Sequence, residues 1–375
     1  MKKVIALKTL PMVVMTVFAV CSCGRQPDEK VTVLAEKQVL DGAAEAVPDT
    51  VCVLPDTVFV SEAWMMDPGH VMCRMEGRKG YSLRVYDVRT MELTANYLHY
   101  GNGPQEVLFP LVAVTDGNVC VWDLSKKNLY VIPVSSAWRG TGVDMYGLSG
   151  SLNGVVTFGD SLLAVNPFYL ESVDLGISQG EPRLIFPDKS VDYWPDSDKF
   201  STSNVFQGDL LTNTAKDRIA YVEKSYALVE LYDGRLNLQR KVTGPGEDMP
   251  EYFYQEGQMF LFFKLWNAYA YVSSCADDSY IYLLYDGKMR EDGYPVVQGK
   301  MQNGMPTTVS AGGDPTLKDM TLIVLDWDGN FKGSWQIHGV NVMTQISSTG
   351  TEGEVYACVA ARGDIPLTVL RYKLF

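Results

Sequence analysis

The chain has 375 residues, of which 46% are hydrophobic and 21% charged, with a formal net charge of −13. That is ordinary globular composition, long enough for a large core, and its acidic excess argues against nucleic acid and against electrostatic docking on anionic lipid.

The first element is a signal sequence. Lys2, Lys3 and Lys8 precede the apolar run "TLPMVVMTVFAV", and "CSCG" follows. The run is too short for a membrane span. Its end has the form of a bacterial lipobox, which requires a small residue before the acylated cysteine. Ser22 before Cys23 meets that requirement, and Val20 before Cys21 does not. Cys23 is therefore the expected lipidation site, with Cys21 as the fallback. Residues 1–22 read as the signal peptide, 23–48 as a tether and 49–375 as the folded domain. Losing the first 22 residues removes three lysines and no acid, so the mature chain is more acidic still. An acylated cysteine would anchor it to a membrane surface without crossing.

The domain carries a repeat in its turns. Six stretches place Gly, Asp, Asn or Pro before a β-rich run: "DPGHVMCRM" at 67–75, "TDGNVCVWD" at 115–123, "FGDSLLAVN" at 158–166, "AKDRIAYVE" at 215–223, "ADDSYIYLL" at 276–284 and "TEGEVYACV" at 351–359. Most follow another apolar stretch, which is a hairpin pattern. The second strands begin near Val71, Val119, Leu162, Ile219, Tyr280 and Val355. The spacing suits β-propeller blades of roughly 40–50 residues, lengthened by insertions. Six hairpins predict six antiparallel blades of four strands, a to d, with these turns joining a to b.

A second hairpin per blade, c to d, fits "SLRVYDVRTMELTANYL", "ALVELYDGRLNLQRKV" and "TLIVLDWDGNFKGSWQI" well. "NLYVIPVSSAWRGTGV" and "ESVDLGISQGEPRLIF" fill blades two and three. After the last a–b hairpin only "LTVLRYKLF" remains, one strand short. A strand within "DTVCVLP" at 49–55 is expected to complete that blade, so that N- and C-terminal strands close the ring and remove exposed edges.

"GNGPQEVLFP" at 101–110 and "VTGPGEDMP" at 242–250 follow outer strands three blades apart. Both contain Gly-Pro-x-Glu: Gly103, Pro104 and Glu106 in the first, Gly244, Pro245 and Glu247 in the second. With "DSYIYLLYDGK" and "VLDWDGNF", these loops resemble the TolB-like six-bladed β-propeller lipoproteins of Bacteroidota, although Gln105 stands where glycine is usual. The resemblance implies a propeller on an outer-membrane envelope lipoprotein, facing the periplasm or the outside, and no particular reaction.

Candidate chemistry is weighed against turn readings. Gly159-Asp160-Ser161-Leu162 matches the serine block of GDSL hydrolases. The expected histidine block lies on the wrong side, however. The one Asp-x-x-His, Asp67 to His70, precedes the serine, and the Gly-x-Asn-Asp block is absent. Ser161 is read as part of a hairpin and no catalytic residue is assigned. "DWDGN" at 326–330 lacks the sixth-position glycine and closing glutamate of an EF-hand. It is read as a c–d turn, with a weak surface calcium left open. No metal site or cofactor is expected. Cys52, Cys73, Cys120, Cys275 and Cys358 have no metal-binding spacing and read mostly as small core residues, with a disulfide unassigned.

Alternating strands put a–b and c–d turns on one face and b–c and d–a loops on the other. The long segments 288–319 and 188–204 are assigned to the second face, where loops on a rigid scaffold carry function. Tyr193, Trp194, Asp196, Asp198, Tyr252, Tyr254 and Tyr294 are the candidate contacts for a glycan, peptide or envelope protein, with loop packing as the competing reading. The expected function is a membrane-anchored binding module. The alternative is a propeller hydrolase or lyase acting on envelope polysaccharide or peptide.

Overall fold

In the computed structural model the described residues are 31–54, 60–75, 80–115, 117–123, 125–148, 154–159, 161–165, 182–185, 208–224, 227–246, 252–255, 258–261, 270–286, 301–302, 305–306, 317–341, 343–359 and 366–375. Three short strands come first: β1 (Val31–Val33), β2 (Ala44–Glu45) and β3 (Asp49–Leu54). The first blade is β4 (Val60–Asp67), β5 (His70–Met75), β6 (Tyr81–Asp87) and β7 (Leu93–His99), antiparallel and in sequence order. The second is β8 (Pro110–Thr115), β9 (Asn118–Asp123), β10 (Asn128–Pro133) and β11 (Asp144–Gly147), with a helical turn, Val134–Ala137, between the last two.

A three-stranded sheet follows: β12 (Gly154–Phe158), β13 (Ser161–Val165) and β14 (Pro182–Ile185). The next blade is β15 (Gly208–Thr212), β16 (Arg218–Glu223), β17 (Leu228–Asp233) and β18 (Leu238–Thr243). A separate hairpin, β19 (Tyr252–Gln255) and β20 (Gln258–Leu261), precedes β21 (Tyr271–Ala276) and β22 (Tyr280–Tyr285). A second hairpin, β23 (Met301–Gln302) and β24 (Met305–Pro306), interrupts that blade before β25 (Lys318–Asp326) and β26 (Phe331–Val340) complete it. The final blade is β27 (Gln345–Ser347), β28 (Glu354–Val359), β29 (Leu367–Lys373) and, returning from the start of the domain, β3.

The fold is an all-β propeller of antiparallel four-stranded blades. Each of the six turn-and-strand repeats opens a sheet, and the second strand begins within a residue of its expected position. Five blades are complete among the described residues, not the six expected. The shortfall lies in the third sheet, where "PRLI" pairs with β13 and is the third strand, not the fourth. The upstream part of "ESVDLGISQGEPRLIF" lies outside the described residues.

The blades are apolar on both faces, because each is packed between neighbours. Their central strands therefore read as continuous apolar runs and not as strict alternation. Val119, Cys120, Val121 and Trp122 are all buried, as are Ile281 to Tyr285. Six apolar clusters fill the gaps between successive sheets. Met72 and Val85 meet Val119 and Tyr130 between the first two blades. Cys52 and Val369 meet Val71 and Cys73 where the last blade meets the first. Polar links reinforce the inner strands: Ser273 Oγ accepts from Ile346 N at 3.0 Å, and Ser347 Oγ from Met65 N at 3.1 Å.

An aspartate at a strand end repeatedly closes the turn. Asp87 accepts from the backbone N–H groups of Arg89 and Thr90, Asp233 from Arg235 and Asn237, and Asp326 from Asp328 and Asn330. These are Asx turns, which satisfy amides that the strands leave unpaired. "DWDGN" is one of them, the c–d turn expected from sequence. Its Gly329 has φ +78, and a Cβ there would meet Val242 at 2.9 Å across the blade interface.

Closure takes the expected form. β3 pairs antiparallel with β29 from Leu54↔Leu367 to Asp49↔Arg371, and Asp49 Oδ2 meets Arg371 Nη2 at 2.8 Å. Upstream, residues 31–48 are not the free tether expected. They form a belt around the outside of two blades. β1 pairs in parallel with β18, and β2 in parallel with β26. Leu34, Val39 and Ala46 are buried, and Val39 O accepts from Ser334 Oγ at 2.6 Å. Burial of these three apolar side chains helps hold the stretch against the rim.

Deleting residues 23–54 should strip β29 of its partner and uncover the Leu367–Val369 core. Thermal unfolding should then shift down by 10 °C or more, and an unchanged midpoint would rule out closure by β3. The five cysteines outside the signal region are buried and free. Burial pushes the Cys52 thiol up to about 11 and Cys120 to about 12. Reaction with a thiol reagent at pH 8 should be negligible for these five in the native protein and complete in denaturant.

Candidate functional site

Strand direction divides the connections between two faces. On one lie the a–b turns at 68–69, 116–117, 159–160, 213–217, 277–279 and 348–353, and the c–d turns at 88–92, 134–143, 234–237 and 327–330. The connections whose flanking strands end on the other face are 100–109, 166–181, 244–270, 286–317 and 360–366, two of which contain the extra hairpins. Of the expected 288–319 segment, Lys318 and Asp319 belong to β25, which begins on this face, and 288–300, 303–304 and 307–316 lie outside the described residues. The segment 188–204 lies outside the described residues. As a third strand, β14 ends on the turn face, and β15 begins on the loop face.

Tyr193, Trp194, Asp196, Asp198 and Tyr294 lie outside the described residues, as do Cys23 and Glu247. Tyr252 and Tyr254 belong to β19, which pairs with β20 as Tyr252↔Leu261 and Tyr254↔Met259. They stand on the loop-face connection between the fourth-strand end Thr243 and Tyr271.

The first Gly-Pro-x-Glu loop is well defined. Glu106 folds back so that its Oε2 accepts from Gly103 N at 2.6 Å. A Cβ on Gly101 would lie 2.1 Å from that carboxylate and one on Gly103 3.0 Å from it, so a larger residue at either position would displace the Glu106 side chain. Lys126 donates to the carbonyls of Gly101, Gly103 and Glu106 at 2.8, 2.8 and 2.6 Å. Buried Asp123 accepts from Leu108 N and Phe109 N on one oxygen and from Ser125 N and Lys126 N on the other. The motif therefore locks an outer strand to the next blade's inner strand. In the second loop Gly244 and Pro245 are buried, and Gly244 O accepts from Tyr271 Oη at 2.6 Å. Gly244 has φ +92 and abuts Leu34 of the belt, where a Cβ would lie 2.6 Å from the Leu34 carbonyl.

Sequence reasoning missed an acidic group beneath this face. Glu223 ends β16, and Glu230 sits on β17 opposite Tyr221. All three are buried. Glu230 is matched: Lys241 Nζ lies 2.7 Å from Oε1, and Tyr232 Oη donates to Oε2 at 2.7 Å. Glu223 has no such partner at either oxygen. Burial, with a smaller contribution from the Glu230 charge, pushes its carboxyl up to about 8, while the neighbouring Tyr221 hydroxyl acts weakly the other way. The signal was present in "YVEKSYALVELYDG", where the two glutamates occupy the strand parity of the buried tyrosine. Nearby, Asp209 on inner strand β15 joins Lys224 at 2.8 Å and Ser274 Oγ at 3.0 Å, tying two blades together.

The turn face carries the Asp-x-x-His pair. His70 Nδ1 lies 3.0 Å from both oxygens of Asp67. Its ring stacks on Trp138 at 5.6 Å, and the Arg139 guanidinium covers the same indole at 4.6 Å. Ser161 opens β13, paired with Phe158, in the third sheet. The chain's three histidines sit on the first and fifth blades, so no histidine shares the serine's sheet. Among the described residues no group of three or more His, Cys, Asp or Glu is placed to hold a metal.

A glutamine at position 223 cannot ionise. In the wild type the raised carboxyl supports folding fully below the unfolded value near 4.3 and loses that support as pH rises through about 8. Glu223→Gln should therefore gain thermal stability over wild type progressively from pH 5 to pH 8, by a few kcal/mol at the upper end. A difference independent of pH would show that the carboxyl ionises normally.

No family model matches the chain, and no curated protein matches it. Solved structures resemble it at low identity. A Bacteroides fragilis protein inferred to be exported is 8% identical with a TM-score of 0.48, over 92% of this chain and 99% of that one. A member of the duf4221 family from Bacteroides vulgatus is 10% identical with a TM-score of 0.46, over 89% and 99%. Raptor from Chaetomium thermophilum is 8% identical with a TM-score of 0.42, over 89% of this chain, which spans 29% of Raptor.

Proposed function

We propose that this protein is an envelope lipoprotein, held to a membrane by acylated Cys23, whose propeller binds a glycan, peptide or envelope protein on its loop-bearing face. In this reading the three-stranded sheet is the third of six blades, and the TolB-like lipoproteins are its relatives. One observation carries the binding role: the two longest connections whose flanking strands are both described, 244–270 and 286–317, start and end on the same face. A rigid ring with adaptable loops at one end is the usual arrangement of a recognition module. An enzyme acting on glycan or peptide is the alternative. Glycoside hydrolysis would need two carboxylates open to substrate, whereas Glu223 and Glu230 are shut away from solvent. The geometry favours binding.

Replacing 288–316 with a short Gly-Ser linker leaves β22 and β25 free to pair. The variant should fold with a near-native melting point and lose the partners captured from detergent-solubilised membranes by the intact protein. Retention of every partner would move recognition elsewhere. Independently, Cys23→Ala should abolish acyl labelling, and retained label would assign the anchor to Cys21.

A further inference from the structure

The belt has a direction. β18 runs from the turn face at Leu238 to the loop face at Thr243, and β1 lies parallel to it, Val31 beside Lys241 and Val33 beside Thr243. Traced backwards from Val31, the chain is therefore heading for the turn face. Seven residues separate Cys23 from Val31, and the steps between the two span roughly 26–29 Å when fully extended. About 10 Å of this takes the chain past the end of β18 at the strand rise. The remainder reaches a membrane lying beneath the turns. A membrane on the loop side would require a reversal of about four residues and a return along the blade, leaving almost no chain.

The turn face has a surface suited to that neighbour. Met91, Leu93, Trp138, Val143 and Met145 are 36–50% exposed. Met91, Leu93, Trp138 and Val143 lie at the turn-face ends of the first two blades, the first two at the β6–β7 turn and the others at the β10–β11 connection. Met145 follows on the edge strand β11, opposite Tyr130. The two connections are in contact: Tyr97 Oη donates to Ala137 O at 2.6 Å, and a Cβ on Gly140 would sit 3.7 Å from that of Ala95. Exposed Arg89 and Arg139 border the corner, opposed by exposed Glu92 and Asp144, so the local charge is mixed and not strongly of one sign. A partly exposed indole in contact with His70 and Arg139, on the same face as exposed Met91, matches the chemistry of the bilayer interface. Phe375, 67% exposed and packed beside Gly353, adds an apolar residue on the same face in the last blade.

We infer that the corner formed by Met91, Leu93, Trp138, Val143 and Met145 docks on the surface of a zwitterionic phospholipid bilayer, with the loop face turned away from the membrane. Acylation holds the chain at the membrane but does not orient the ring. The corner supplies a second contact across the ring from the belt, and two contacts fix orientation where one leaves the ring free to tumble. The inference rests on the anchor reading above, and its test is separate from that reading.

The mature chain from Cys23 is coupled through that thiol to a maleimide phospholipid in vesicles of phosphatidylcholine and phosphatidylethanolamine. The other cysteines are buried. This fixes the tether whether or not cells acylate it, and acyl labelling of Cys23→Ala decides the anchor itself. Phospholipids brominated on their acyl chains then quench indoles that enter the bilayer. Wild type should be quenched, and Trp138→Phe, which keeps a ring between His70 and Arg139, should lose at least half of the quenching at an unchanged melting point. Equal quenching of the two proteins, or none in either, would overturn the docking surface. So would a dimer of the uncoupled chain that dissociates in Trp138→Ala, since the corner would then serve a second copy.

Discussion

The pairing of Asp49–Leu54 with Leu367–Lys373 is the constraint on which the rest depends. The ends of a ring of sheets are two blades that must bury their apolar faces against each other. Here that burial is conditional on a strand separated from its partner by almost the whole chain. Each backbone hydrogen bond in this ladder contributes only about 1 kcal/mol net, but losing the strand also exposes Cys52 and Leu54 and leaves a bare edge. The belt extends the same solution. β1 and β2 cover the outer edges of two further blades, so the N-terminal segment serves three consecutive sheets.

Once the ring is closed, the two faces are free to differ. The turn face is economical: its aspartates accept two backbone N–H groups each, which fixes the turn with few residues. Backbone and side-chain donors hold the Asp87 and Asp233 carboxyls below their usual range. The loop face is held by larger devices. Lys126 gathers three carbonyls and Asp123 two separate turns, so the entry into the second blade is rigid although the connection is irregular. Rigid entry points allow neighbouring long connections to vary without disturbing the blades.

The interior carries polar groups at the blade interfaces. Glu230 is balanced by Lys241 and Tyr232, and Asp209 by Lys224 and Ser274. Glu223 alone is left to become neutral, which is the cheaper response of an unpaired buried carboxyl. The buried thiols follow the same rule and remain protonated packing groups.

The blade repeat was legible in the sequence because strand hairpins are local. A glycine or aspartate at the turn and an apolar run after it declare themselves within ten residues, and "FGDSLLAV" could be placed in register against its five counterparts. The closing strand was legible by counting. The third sheet was misread because both halves of "ESVDLGISQGEPRLIF" have strand character, and only pairing with β13 shows that "PRLI" is the third strand. The role of Gly-Pro-x-Glu was not legible, since Lys126 reaches it from beyond the next hairpin.

By itself, the sequence determined the fold class, the turn positions and the two faces, all consequences of short-range periodicity and alternating strand direction. Tertiary structure decided what depends on residues far apart in the chain. It laid 31–48 along the rim of two blades and buried Glu223 between sheets. It also brought Trp138 against His70 from the adjacent blade. Nothing in the local pattern of those segments encodes their partners, because burial and edge pairing are settled only when the ring shuts.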